Sequence, residues 1–206
     1  MLKIWGRKNS INVQKVLWTC AELGLKYDRV DAGLQFGVNN TPEYKAMNPN
    51  GVVPTIDDDG FILWESHAIV RYLARKHGVG KLWPTDERTA AAADRWMDWH
   101  HTTLFVGVRV VFQTLIRTPP EKRNMAEVEE NRQKAVAAFS ILEAHLANND
   151  YMAGKDFSMG DIPVGVATYR WLQLPIERSP LPSVERWYKR LTERPAFKEH
   201  CMLPLT

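Results

Sequence analysis

"NGVVPTIDDDG", Asn50–Gly60, places a proline inside an apolar run that otherwise reads as a strand, just before a tight turn. Proline lacks an amide hydrogen and breaks a sheet ladder, so the strand has to begin after Pro54. "TIDDDGFILW" is then a hairpin with Asp59-Gly60 at its turn. Working outward, "LKIW" (Leu2–Trp5) is a short β-like run. "INVQKVLWTCAELG" carries Val13, Val16, Leu17, Cys20 and Ala21 at helical spacing, and Gly24 is placed to end that helix. "YDRVDA" reads as a second strand and is followed by a polar loop, and "ESHAIVRYLARKHG" is a helix that ends at Gly78. Strand, helix, strand, loop, hairpin and helix in this order make a small α/β layer structure.

Past "GVGKLWPTDE" the pattern changes, with no convincing strand from Glu87 onward. "ERTAAAADRWMDWHHTTLFVGVRVVFQTLI" is one long helical stretch, expected to bend near Gly107. "EVEENRQKAVAAFSILEAHLANN" is a second amphipathic helix, and "SMGDIPVGVATYRWLQL" and "LPSVERWYKRLTERPAFKEH" supply two or three more. The expected division is an α/β domain over 1–78, a linker over 79–86 and an all-helical domain over 87–206.

Composition narrows the function. With 206 residues, 45% hydrophobic and 25% charged, the chain is globular and long enough for one large or two small cores. No apolar run is long enough to span a bilayer. "MLKIWGRKNS" has no apolar core of the kind a secretory signal needs. Cys20 and Cys201 are too few and too far apart for a disulfide scaffold or a zinc site, so the expected setting is reducing and cytoplasmic. A net charge of +3 with scattered basic residues argues against nucleic acid, which requires a clustered basic face.

Four stretches in order, "NSINVQKV", "NPNGVVPTI", "DDGFILWESHAIVRYLA" and "FSMGDIPVG", carry a resemblance that covers nearly the whole chain. The sequence resembles the cytosolic glutathione S-transferases, and within them the bacterial theta-like and nu-like members. The resemblance implies a thioredoxin-like N-terminal domain, a helical C-terminal domain, glutathione as co-substrate without a metal, and a homodimer. It also implies that Val53-Pro54 is a cis peptide, a form that X-Pro bonds adopt far more readily than others. In that arrangement the N–H and C=O of Val53 pair with bound glutathione as a short added strand.

The same resemblance assigns the glutathione contacts. Glu65 meets the γ-glutamyl ammonium, while Ser66 and the N-terminus of its helix take the γ-glutamyl carboxylate. Both residues also fit a plain helix start. Asn39 and Val52 stand where relatives often carry histidine and a cation, which leaves the glycyl carboxylate to Lys45, Asn40 or Asn50 and implies weaker binding. Ser10 and Asn12 are the expected donors to the thiolate, although "NSIN" is equally a common helix cap. No tyrosine follows the first strand, where Trp5 and Gly6 stand, and no cysteine lies near position 10. Ser158 and Asp161 read as a capping box, structural in role.

The second substrate is expected against the first long helix, at Trp96, Trp99, His100, Thr103, Phe105 and Arg109, with Tyr169 and Trp171 as a far wall. Arg109 within "VGVRVVF" is the polar exception, suited to an anionic substrate or to the far end of glutathione. His100-His101 point different ways on a helix and complete no metal site. Arg71 is a plausible residue of a dimer interface. The expected activity is attack of the glutathione thiolate on a small hydrophobic electrophile. The alternatives are a disulfide or peroxide reductase of the nu-like kind and a non-catalytic ligand-binding protein.

Overall fold

The computed structural model describes residues 1–206. Strand β1 (Leu2–Trp5), helix α1 (Ile11–Leu23) and strand β2 (Tyr27–Val30) form a parallel βαβ unit. Helix α2 (Pro42–Met47) follows, and then the hairpin β3 (Thr55–Asp58) and β4 (Phe61–Trp64) and helix α3 (Ser66–His77). The sheet order is β2-β1-β3-β4, with β3 antiparallel to both of its neighbours. This mixed sheet with its helices is the thioredoxin-like arrangement that the resemblance implies. Asp59 and Gly60 both take positive φ, 53° and 92°, as a two-residue turn of the favoured hairpin type requires.

One element differs from expectation. The polar loop after β2 contains helix α2, started by Thr41, whose hydroxyl accepts from the Tyr44 N–H at 3.2 Å, with Pro42 at the first helical position.

The helical half comprises α4 (Glu87–Trp99), α5 (Phe105–Phe112), α6 (Met125–Leu146), α7 (Asp161–Gln173), α8 (Pro182–Thr192) and α9 (Pro195–His200). Helices α4 and α5 are one continuous stretch, interrupted by a π-helical turn at His100–Leu104; a second closes it at Gln113–Arg117. The irregularity therefore falls at 100–104, not at Gly107. Gly107 serves packing instead: a Cβ there would lie 2.6 Å from the Asn131 carbonyl and 2.9 Å from the Ala135 nitrogen. Only glycine lets α5 and α6 approach so closely.

Helix α1 has two buried faces, and this is what positions the site. Val13, Val16, Leu17 and Cys20 join the sheet core, while Ile11 and Trp18 join the core of the helical half. Trp18 lies between Phe157 and Phe197, with ring centroids 5.5 and 4.7 Å away. Its indole N–H donates to Glu22, which also pairs with Arg194 at 2.7 Å. Arg71, expected at a dimer interface, pairs within the chain with Asp94 and Asp98 and ties α3 to α4. The N-terminus of α1 is thus held from both sides of the cleft.

The "FSMGDIPVG" box keeps its bonding between Ser158 and Asp161, but the helix starts at Asp161 with Gly160 at the N-cap, two residues later than Ser158 suggested. The Ser158 N–H donates to Asp161 Oδ2 at 2.9 Å, and the Gly160 N–H donates to Ser158 Oγ at 3.3 Å. Asp161 is fully buried and also accepts from the Met152 N–H and the Trp187 indole.

Candidate functional site

The cleft between the two halves is formed by two adjoining cavities of about 330 and 740 Å³, which share Asn12, Phe105 and Arg109. Ser10, Asn39, Val52, Val53 and Arg109 line the smaller one. Glu65, Ser66 and Arg109 line the larger. Sequence positions as distant as 10, 53, 66 and 109 therefore meet around one space.

Ser10 stands at the N-cap of α1, yet its hydroxyl makes no capping bond. Only its carbonyl serves the helix, accepting from the Gln14 N–H at 2.8 Å. The hydroxyl is left to face the cavity, which separates this serine from an ordinary cap. Asn12 is oriented by Lys15, whose ammonium donates to Asn12 Oδ1 at 3.0 Å. With the oxygen so occupied, the Asn12 amide nitrogen keeps its hydrogens free of any partner within the chain, in a residue that lines both cavities.

Lys15 is a site residue that the sequence reading missed. It is only 1% exposed and reaches His67 Nε2 at 3.1 Å, with its ammonium 5.5 Å from the Phe105 ring centroid. Burial, followed by the Arg170 charge, lowers its pKa to about 7. Burial likewise holds His67 down to about 2 and keeps His100 well below the usual histidine range. Both imidazoles are neutral, so the His67 nitrogen can accept from Lys15. The available signal was a lysine four residues after Ile11 and three before Trp18, on a helical face that is otherwise apolar.

Val53-Pro54 is cis. Neither the N–H nor the C=O of Val53 takes a partner from the chain. Pro54 is buried beneath, and the loop is fixed by Val52, whose carbonyl accepts from Tyr44 Oη at 2.7 Å and Asn48 Nδ2 at 2.9 Å. Asn39 donates its amide to the Gly51 carbonyl at 2.6 Å, leaving Oδ1 buried without a donor. One of the two Asn39 amide hydrogens is therefore committed to the loop. At the other end, Glu65 is exposed at φ 71°, ψ 110°, a backbone region that costs a non-glycine residue about 1–3 kcal/mol. Ser66 follows it at the head of α3, where free N–H groups suit an anion.

Of the residues expected to meet a second substrate, Phe105 and Arg109 line the cleft and the others do not. Trp96 is core, packed on Trp99 and His145 with centroids 4.9 and 4.6 Å away. His100 is fully buried with both ring nitrogens unpartnered, stacked on Phe105. Tyr169 donates to the Leu203 carbonyl at 2.8 Å, and Trp171 stacks on Phe139. Thr103 is exposed beside Thr102, away from both cavities. The π-helical turn rotates this part of the long helix, so that Phe105, Arg109, Phe112 and Gln113 face the cleft. Arg7, Arg117 and Arg170 complete that wall. Cys20 is core, its thiol pushed by burial up to about 12 and therefore no nucleophile.

Residues 1–75 match the family model of the glutathione S-transferase N-terminal domain and residues 107–195 that of the C-terminal domain. The chain is 42% identical over its full length, and the full length of the relative, to glutathione S-transferase GstB of Escherichia coli. It is 32% identical to glutathione S-transferase 3 of Zea mays, over 96% of this chain and 92% of that one. Among solved structures, it superimposes with TM-score 0.96 on a theta class glutathione S-transferase of Xanthomonas axonopodis pv. citri with glutathione bound, at 43% identity over 100% and 99% of the two chains. Matched over both domains and by relatives of its own length, the chain belongs to the glutathione S-transferase family.

Proposed function

We propose that this glutathione S-transferase holds glutathione along Val53, places its sulfur between Ser10 and Asn12, and delivers the thiolate to a small electrophile lying against Phe105 and Phe112. The observation that carries this reading is the Ser10 hydroxyl, released from capping and facing the cleft beside an amide oriented by Lys15. Val53 supplies the unpaired N–H and C=O that an extended peptide needs, and Ser66 with the head of α3 supplies the seat for its γ-glutamyl carboxylate. A free thiol is mostly protonated at neutral pH; each pKa unit of lowering takes about 1.4 kcal/mol of preferential stabilisation of the anion. One hydroxyl donor is worth about that much.

Replacing Ser10 with alanine is therefore expected to raise the thiol pKa of bound glutathione by about one unit. Turnover of 1-chloro-2,4-dinitrobenzene should fall about tenfold at pH 6.5, where rate follows the thiolate fraction. Thiolate absorbance against pH and steady-state rates measure both. Unchanged turnover would remove Ser10 from the mechanism.

A homodimer in a reducing, cytoplasmic setting completes the proposal. It is supported by β4, the edge of the sheet, which leaves Phe61 and Trp64 exposed, and by two buried free thiols. Light scattering should give twice the chain mass at micromolar concentration, and Phe61→Glu should shift it toward the monomer. A monomer at every concentration would sink this part.

A further inference from the structure

We propose, resting on the transferase reading above, that the electrophile carries a carboxylate, which the four arginines of the smaller cavity receive. Arg7, Arg109, Arg117 and Arg170 line that cavity, and no aspartate or glutamate does. None of the four pairs with an aspartate or glutamate within the chain; Arg117 instead meets the backbone oxygen of Thr206, the last residue of the sequence. Elsewhere half-buried arginines find either carboxylates, as Arg29, Arg71 and Arg194 do, or well-placed backbone carbonyls, as Arg123 and Arg178 do.

Two of the four are deeply placed, Arg7 at 7% and Arg170 at 6% exposure. Arg7 Nε is buried with no acceptor at all. Arg170 makes only a long 3.5 Å contact to the Asn9 carbonyl and lies 3.9 Å over the Phe112 ring. Arg117 donates to the Thr206 carbonyl at 3.0 and 3.2 Å, and Arg109 has no acceptor. Burial, then the charges of Arg117 and Arg7, lowers the Arg170 pKa to about 9, a sign of crowded, uncompensated cations. Leaving buried cations unpaired is costly unless a ligand brings the opposite charge.

Position favours the second substrate over glutathione as that ligand. Arg109, Arg117 and Arg170 come from the helical half, on α5, the π-helical turn after it, and α7, across the cleft from Val53. Ile11, Phe105 and Phe112 offer apolar contact beside them, and Ser10 lies in the same lining. A small aromatic acid fits this arrangement, with its ring on the phenylalanines and its carboxylate on the arginines. The thiolate, having released its proton to solvent, then forms a carbon–sulfur bond at the ring carbon bearing a halogen. The carbon–halogen bond breaks, and halide leaves with the bonding pair.

The test compares 4-chloro-3-nitrobenzoate with its neutral isostere 4-chloro-3-nitrobenzamide, each kcat/KM divided by its uncatalysed rate with glutathione. The wild type should favour the benzoate by about tenfold or more, the worth of one charge-assisted bond. Arg109→Gln combined with Arg117→Gln, both at exposed positions, should bring that ratio close to one, through the KM of the benzoate. Calorimetry of 3-nitrobenzoate and 3-nitrobenzamide on protein saturated with S-methylglutathione should show the same preference without turnover. Equal handling of both electrophiles by the wild type would overturn the inference and leave the transferase reading standing. A loss shared equally by both, with a raised KM for glutathione, would assign the arginines to the glycyl carboxylate and also overturn it. Absence of glutathione binding altogether would overturn both.

Discussion

Replacing Lys15 with methionine is expected to make the protein more stable and a poorer catalyst. The unfolded chain binds a proton at this lysine up to about pH 10.5, whereas burial lets the folded chain lose it near pH 7. Between those values the unfolded state holds the extra proton, so stability rises with pH and the lysine is a liability at neutrality. A shift of that size costs the folded state about 4 kcal/mol at pH 7, on an order-of-magnitude basis. Methionine fills the space without the charge but leaves Asn12 Oδ1 and His67 Nε2 without their donor, which offsets about 1–2 kcal/mol. A net gain of roughly 2–3 kcal/mol at pH 7, fading toward pH 10.5, is the expected outcome of urea titrations across that range.

The loss in activity follows from the same bonds. Without Lys15 the Asn12 carboxamide has no anchor and is free to turn, and the nearby positive charge is gone. The thiol pKa of bound glutathione should rise by about one unit, with turnover at pH 6.5 falling about tenfold. A variant that gains stability and keeps full turnover would show that Asn12 does not depend on Lys15.

Asp161→Ala is expected to be the most destabilising single change in the helical half. Its carboxyl is buried on all sides, and burial raises its pKa to about 6, against the pull of its N–H donors, so it is ionised at neutral pH. Removing it strands the N–H groups of Met152, Ser158 and Trp187 inside the core. Each stranded donor costs about 1–3 kcal/mol, for a total of roughly 3–9 kcal/mol. In a chain of this size, at about 2–4 °C per kcal/mol, a loss near the middle of that range lowers the midpoint of thermal unfolding by roughly 12–24 °C. The capping-box reading alone implies about 0.5–2 kcal/mol. A calorimetric scan that shows a drop of only a few degrees would mean that water or backbone shifts satisfy the three donors.

The contrast shows what the sequence made legible. Local chemistry was readable: the hairpin from Pro54 and Asp59-Gly60, the end of α1 at Gly24, the break between the halves, and the Ser158–Asp161 pattern. Motif resemblance located Ser10, Asn12, Val53, Glu65 and Ser66, which the fold does bring to one cleft. Of the second-substrate wall, only Phe105 and Arg109 were readable. An aromatic stripe such as Trp96, Trp99 and His100 faces the core unless something turns the helix, and nothing in "WMDWHHTTLF" announces a π-helical turn. The arginines at 7, 117 and 170 share no spacing, because they converge only through tertiary packing. The bond by which Asn39 braces Gly51 is likewise invisible in one dimension. Lys15 was legible in principle, as a charge on a face that period and burial should have kept apolar.

The wide turn at His100–Leu104 makes the recognition wall adjustable at small cost. A π-helical turn absorbs one surplus residue, so rewinding the same five residues as regular α-helix, with none removed, would swing the segment beyond it by about 100°. Arg109 would leave the cleft and a valine neighbour would enter, turning an acid-accepting wall into an oily one. Rewinding five residues, rather than replacement of the arginines one by one, is the short route by which such a scaffold changes its diet.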